Sequence, residues 1–239
     1  MDIISALAII TLAALIHASF QVSVSVLTLL SSHTTGKKQS NAKHFRLTTS
    51  FIAGVAVMTL LLLSFIALIF IHSFTAPVPE FVWAILCGLL VGVGAAVWLF
   101  YYRYKDGGTS LWVPRVFAKH LSDRSKQTVR SVEAFSLGMT SVVGELLFIL
   151  APLAVSALVI IHLPGPWQLV GIGVYTIASL LTLVSIWVLI GSGHTLSSIQ
   201  RWREKNKRFL QFASGSALIV LGLFVYVFMV VSQANSGLF

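Results

Sequence analysis

One carboxylic acid of this chain lies deep inside an apolar stretch. Glu145 follows the uncharged segment from Gly138 to Gly144, whereas the other acidic residues lie near chain ends or in polar segments. A charged side chain at the bilayer centre costs about 2.5–3.5 kcal/mol on insertion scales, so such residues generally face a cavity or a partner. Burial favours the neutral acid unless a cation is near. Glu145 is therefore a candidate proton or cation relay or a substrate anchor. The alternative is a neutral acid that hydrogen-bonds a neighbouring helix.

A second polar set lies on the first apolar run. His17, Gln21 and Ser25 recur every four residues and so share one face of a helix. A polar stripe facing lipid would be costly, so we expect it to face protein or water. Histidine exchanges its proton near neutral pH and can ligate metal. We predict that His17 and Gln21 bind solute, the alternative being helix–helix hydrogen bonds. The residues predicted to line the inner part of the path are Ser25, Thr140 and Ser141.

Helix geometry places His17 and Glu145 at nearly the same depth. His17 is 13 residues from Leu30 at the inner end of its run, about 20 Å at 1.5 Å per residue. Glu145 is 11 residues from Ala134 at the inner end of another run, about 17 Å. The sequence therefore predicts that these two helices pack together, with Gln21 and Glu145 facing a shared cavity.

The composition excludes a soluble domain, because 57% of the residues are hydrophobic and 10% are charged, whereas soluble domains carry about 25% charged residues. The net charge is +9, and all 16 Lys and Arg residues lie in three segments, 37–46, 103–130 and 201–208. Such segments orient a membrane protein and contact anionic lipid headgroups, so we expect no nucleic-acid partner. The single cysteine, Cys87, excludes a disulfide or a two-thiol relay within one chain.

Six apolar runs are long enough to cross a hydrocarbon core about 30 Å thick. Lys and Arg concentrate in cytoplasmic loops, and the breaks at 75–80 and 163–166 carry neither residue. The sequence therefore predicts a multi-pass, all-α integral membrane protein with both termini outside. The runs are 3–30, 47–71, 81–102, 134–162, 168–190 and 210–231.

Residues 1–239 read as one membrane domain made of two three-helix halves, 1–102 and 134–239. Three is odd, so the second half is inverted relative to the first, an arrangement common in transporters. The alternative is that any six-helix protein divides in this way. The halves are joined by a basic cytoplasmic loop, 103–133, in which the apolar spacing within 111–121 predicts a short interfacial helix.

Three weaker features accompany these runs. Pro152 removes one backbone hydrogen bond and predicts a bend near the site. Gly88 and Gly92 form a small-xxx-small pair that predicts close helix packing. Tyr175 belongs to a polar face on the fifth run that is a weaker candidate for cavity lining.

The last run, from Arg208 to Leu223, has a basic residue, then Gly215, then an apolar stretch ending in Gly222-Leu223. It resembles the closing helix of the LysE-type exporters and their DsbD/CcdA-like relatives. The resemblance implies six spans in two inverted halves, a prokaryotic inner or plasma membrane, and export of amino acids or metal ions or transmembrane electron transfer. The redox branch has a cysteine in each half, whereas this chain has only Cys87. The proline-containing signature of the first helix is also absent, since His17 to Gln21 occupy that region.

These features lead us to expect a secondary transporter, a proton-coupled exporter of a small polar solute or metal cation, with Glu145 carrying the proton or cation. We expect no enzyme and no cofactor, and the chain has no G-x-x-x-x-G-K nucleotide motif. One alternative is a non-catalytic membrane partner or scaffold, assembled with a second copy or with another protein through the basic loop. The other is an intramembrane redox or haem protein.

Overall fold

The computed structural model describes residues 1–20, 24–27, 30, 41–74, 78–101, 121, 123–125, 127–192, 201–202 and 205–231. Throughout this part the chain forms helices and no strand. Apart from the predicted interfacial helix, of which only Leu121 is described, the predicted runs contain long helices. These are α1 (Ile3–Ser19), α2 (Asn41–Ser73), α3 (Glu80–Tyr101), α4 (Ser131–Ile161), α5 (Gly165–Ser179), α6 (Leu181–Gly191) and α7 (Lys207–Tyr226), the last continued by a π-helical stretch, Val227–Val231.

Four helical segments are long and apolar enough to cross a membrane. α5 and α6 meet at 46° and make a fifth if they are one broken span, while α1, at 17 residues, is shorter. Four to five such helices are consistent with a multi-pass integral membrane protein, against the six spans predicted from the sequence. The four long segments are Phe45–Ser73, Glu80–Leu99, Ser131–Ile161 and Arg208–Val231.

Side-chain caps fix the beginnings of α1 and α4. The carboxylate of Asp2 accepts a hydrogen bond from the Ser5 amide at 3.4 Å. The carboxylate of Glu133 accepts from the amides of Val129 at 2.9 Å and Arg130 at 3.1 Å. Such caps satisfy amides that have no partner within the helix, so both site-bearing helices begin at defined residues.

The helix α4 lies at the centre of the bundle. Of its most apolar window 72% is buried, compared with 28% for α2. α2 packs along α4, α3 packs along α7, and α1 lies against α4, α5 and α7. This arrangement places α1 and α4, the two helices that carry the predicted site, in direct contact.

Glycines set the two closest helix crossings. A side chain at Gly54 of α2 would overlap the Phe135 carbonyl, and one at Gly138 of α4 would overlap the Phe51 carbonyl. At the α3–α7 crossing, a Cβ at Gly94 would lie 2.8 Å from the Gly215 oxygen. Helices in membranes approach this closely only where side chains are small.

One sequence-based expectation about helix packing was wrong. No described residue lies within 4 Å of a Cβ built at Gly88 or Gly92, so these glycines do not form a close crossing with the described helices. α4 continues through Pro152 as one helix without an unwound segment, and a bend of 46° lies at Leu180 between α5 and α6. A tightly packed neighbour can hold a proline-containing helix together in a membrane, and α2 packs along α4 in this way.

Candidate functional site

The structure brings His17 of α1 and Glu145 of α4 together in the interior. His17 is 1% exposed and Glu145 0% exposed, and Nε2 of the imidazole lies 3.7 Å from Oε2 of the carboxyl. That distance is short enough for an ion pair but too long for a hydrogen bond. Among the described residues, His17 Nε2 has no hydrogen-bond partner. A buried donor or acceptor without a partner costs about 1–3 kcal/mol, so the site holds unused binding capacity at this atom.

The other ring nitrogen of His17 is held by α5. Nδ1 lies 3.1 Å from the hydroxyl of Tyr175, which is also fully buried. When the Tyr175 hydroxyl donates this bond, the proton of the neutral imidazole is on Nε2 and faces Glu145. When Nδ1 donates, Nε2 is a proton acceptor facing the same carboxyl. Tyr175 therefore couples the tautomer of His17 to the chemistry at Glu145.

Local packing fixes the depth at which the two side chains meet. One turn after His17 and Glu145, the rings of Phe20 and Phe148 stack with centroids 5.3 Å apart and planes 5° apart. The stack holds α1 against α4 at this depth.

The remaining predicted site residues are placed differently from one another. Ser141 is buried and donates to the Gly138 carbonyl at 2.7 Å, so its hydroxyl is used within its own helix. Thr140 is half-buried and donates to the Ser136 carbonyl at 2.8 Å. Ser25 is half-buried, and Gln21 lies outside the described residues.

A cavity of about 410 Å³ opens beside the start of α4. Arg124, Gln127, Glu133 and Thr140 contribute to its lining. Thr140 is five residues before Glu145, or about 7.5 Å along the helix axis. The cavity therefore extends from the end of the basic loop to within about one and a half helical turns of the buried pair.

The described residues contain no group of three or more His, Cys, Asp or Glu side chains that could hold a metal ion. The donors that do converge are the imidazole, the carboxyl and the phenol of His17, Glu145 and Tyr175. Two protein ligands bind a transition metal only with help from water or a substrate. The site is better suited to a proton, or to a cation that arrives with its own ligands.

The sequence identified the pair but missed the role of Tyr175. Its position on a polar helix face was visible, yet the face of α5 that meets α1 depends on how the helices pack. A buried phenol usually has a hydrogen-bond partner, and this rule could have predicted a polar partner for Tyr175. No known protein family, curated protein or solved structure matches the chain, so its function has to be inferred from its own geometry.

Proposed function

We propose that this protein is a secondary transporter that exports a small polar solute or metal cation in exchange for protons. The observation that carries the proposal is the buried pair of His17 and Glu145, 3.7 Å apart on two different helices. Ionisable groups inside membrane helices are rare and mark ion pathways and proton relays.

The proposed coupling depends on competition at one carboxyl. When Glu145 is ionised, its negative charge attracts a cation or the donor groups of a polar solute. When Glu145 is protonated, that attraction is lost and the ligand is released. His17 lies close enough to exchange the proton with Glu145, and Tyr175 orients its ring. Binding of solute and binding of proton then exclude one another, and this exclusion couples solute movement to the proton gradient.

The proposed inner path runs from the cavity at Arg124 and Glu133 past Thr140 towards Glu145. Ser141 and Ser25 border this path, and Gln21 with His17 binds solute. In this proposal the three basic segments lie in the cytoplasm against anionic headgroups, so the cavity opens inward. Six spans in two inverted halves, with both termini outside in a prokaryotic inner or plasma membrane, complete the proposed topology.

Proteoliposomes containing a trapped pH-sensitive dye test this proposal. Candidate amino acids and divalent cations are added singly, and proton movement is recorded for the wild type, His17→Ala and the matched control His72→Ala. His72 lies at the exposed end of α2 and bonds only the Leu68 carbonyl among the described contacts. We expect one class of solute to move protons with wild type and with His72→Ala, and to need a higher concentration with His17→Ala.

Equal solute dependence in all three proteins would contradict the assignment of His17. If no solute moves protons and the purified chain retains a stoichiometric second protein, the function is that of a membrane partner rather than a transporter.

A further inference from the structure

The crossing of α3 and α7 repeats itself when the two helices are exchanged. A Cβ at Gly94 would contact the Gly215 oxygen at 2.8 Å and the Ile219 side chain at 2.8 Å. A Cβ at Gly222 would contact the Cys87 oxygen at 3.1 Å and the Val91 side chain at 2.9 Å. A shift of 128 residues takes Gly94 to Gly222, Cys87 to Gly215 and Val91 to Ile219. The shift therefore converts the first set of contacts into the second, with the roles of α3 and α7 exchanged.

These contacts also give the relative direction of the helices. Moving forward along α3 from Cys87 to Gly94 moves the contact backward along α7 from Gly222 to Gly215. The two helices are therefore antiparallel. A twofold axis that relates antiparallel neighbours in this way runs across the helices rather than along them, as in an inverted repeat.

The same shift relates α1 to α4, at the candidate site. Adding 128 takes His17 to Glu145 and Phe20 to Phe148. These are the two pairs that touch, at 3.7 Å between polar atoms and at 5.3 Å between ring centroids. Residues related by a twofold axis touch each other only where the axis passes between them, so the shift places the axis within one helical turn of both pairs.

Burial follows the shift as well. Five buried positions near the beginning of α1 have buried counterparts in α4, and five buried positions of α3 have buried counterparts in α7. Ala6, Phe20, Leu90, Gly94 and Val97 keep the same residue type after the shift. In α1 and α4 the pairs are Ala6 with Ala134, Ile9 with Leu137, Ile10 with Gly138, Ala13 with Ser141 and Ala14 with Val142; in α3 and α7 they are Leu86 with Ser214, Cys87 with Gly215, Leu90 with Leu218, Gly94 with Gly222 and Val97 with Val225.

We infer that the chain is an inverted repeat with a shift of 128 residues, and that His17 and Glu145 are equivalent positions on its twofold axis, forming the one polar site shared by both halves. The second part rests on the proposed function. When two halves exchange conformations in alternating access, groups on the axis keep their neighbours while groups away from it move. The pair, the Phe20–Phe148 stack and the α3–α7 crossing then form the fixed pivot.

The helices that exchange conformations are those that flank the pivot. α2 crosses α4 at Gly138, while at the position 128 residues earlier, Ile10 of α1 meets α5 beside Gly171. α5 and α6 are bent by 46° at their junction, whereas α2 is unbroken. The two halves therefore hold different shapes in this conformation, and the transported solute reaches the same His17–Glu145 pair from either side as these shapes are exchanged.

Distances between spin labels test the repeat without any assay of transport. On a Cys87→Ala background, labels are placed at Leu15 and Val220, and in a second protein at Val143 and Gly92. The shift converts one pair into the other, and all four positions are exposed. We expect the two distance distributions to coincide. As a control, the label at Gly92 of the second protein is moved to Gly88, one turn away. The distance distribution of this control should differ from that of the first protein. Distributions that differ for the matched pairs would overturn the inference.

Exchange of the two site residues tests the role of the axis. His17→Glu places two carboxyls face to face, and Glu145→His places two imidazoles face to face, so each should lower the detergent melting temperature and abolish coupled flux. The double variant, with the two residues exchanged, should recover both. Recovery of melting temperature without flux would overturn the shared-site role. Matching label distances without flux in the wild type would leave the repeat standing and remove the transport proposal.

Discussion

At the scale of single residues, the site depends on one imidazole with two different neighbours. Nδ1 of His17 is bonded to Tyr175, and Nε2 faces Glu145. Counting helical rise from the inner ends of two apolar runs was enough to predict that His17 and Glu145 lie at one depth. The contact with Tyr175 could not be predicted, because helical spacing does not say which face of α5 meets α1.

Removing the Tyr175 hydroxyl should destabilise the protein and disturb the site. Tyr175→Phe leaves His17 Nδ1 buried without this partner, a loss of about 1–3 kcal/mol, and frees the ring to adopt either tautomer. The melting temperature in detergent should fall, and any proton-coupled flux should weaken. Tyr226→Phe, at an exposed position of α7, is the matched control. A melting temperature unchanged from that of the control would show that the phenol does not support His17.

At the scale of helices, glycine placement decides which pairs approach closely. The sequence pattern favoured Gly88 and Gly92, but the close crossings use Gly54 with Gly138, and Gly94 with Gly215 and Gly222. Small residues allow helices to approach closely, but their spacing does not identify the partner helix. The long apolar runs predicted five of the helix positions well, because length and hydropathy are local properties.

Alanine at the central crossing should be strongly destabilising. In Gly138→Ala the new methyl group would overlap the Phe51 carbonyl, so α2 and α4 must move apart. Overpacking of this kind costs about 1–3 kcal/mol or more, and the melting temperature should fall clearly. Gly88→Ala is the control, because no described residue lies within 4 Å of its new side chain. Equal melting temperatures for the two variants would contradict the crossing.

The bend in the second half shows where local pattern fails. Pro152 predicted a break that α4 does not show, and α5 and α6 break at Leu180 although Ser179 and Leu180 are neither proline nor glycine. Pro152 itself is buried, and packing by neighbouring helices can hold a proline-containing helix together in a membrane. Nothing in the residues around Leu180 explains the bend.

At the scale of the whole molecule, the distribution of Lys and Arg predicts how the chain is oriented in the membrane, whereas the helix positions alone do not. We expect both termini and the segments 75–80 and 163–166 to face the side opposite the basic segments. On the Cys87→Ala background, single cysteines replace Ala76, Pro164 and Ser236 on one side, and Ser40 and Lys126 on the other. A membrane-impermeant reagent added to intact cells should label the first three only. Labelling of the cysteines at positions 40 and 126 would contradict the predicted orientation.

The central claim is that Glu145 changes its protonation during transport, and Glu145→Gln tests it most directly. Glutamine keeps the size and hydrogen-bonding capacity of the side chain and cannot release the proton. Glu80→Gln, at the exposed start of α3, is the matched control. If the carboxyl were only structural, glutamine would replace it at little cost, because hydrogen bonds between membrane helices average about 0.6 kcal/mol.

The measurement is solute flux into liposomes at a series of imposed pH gradients, with detergent melting temperature recorded for each protein. We predict that flux rises with the gradient for the wild type and Glu80→Gln, and that Glu145→Gln keeps its melting temperature but loses this dependence. Flux that follows the pH gradient unchanged in Glu145→Gln would contradict the coupling role of Glu145.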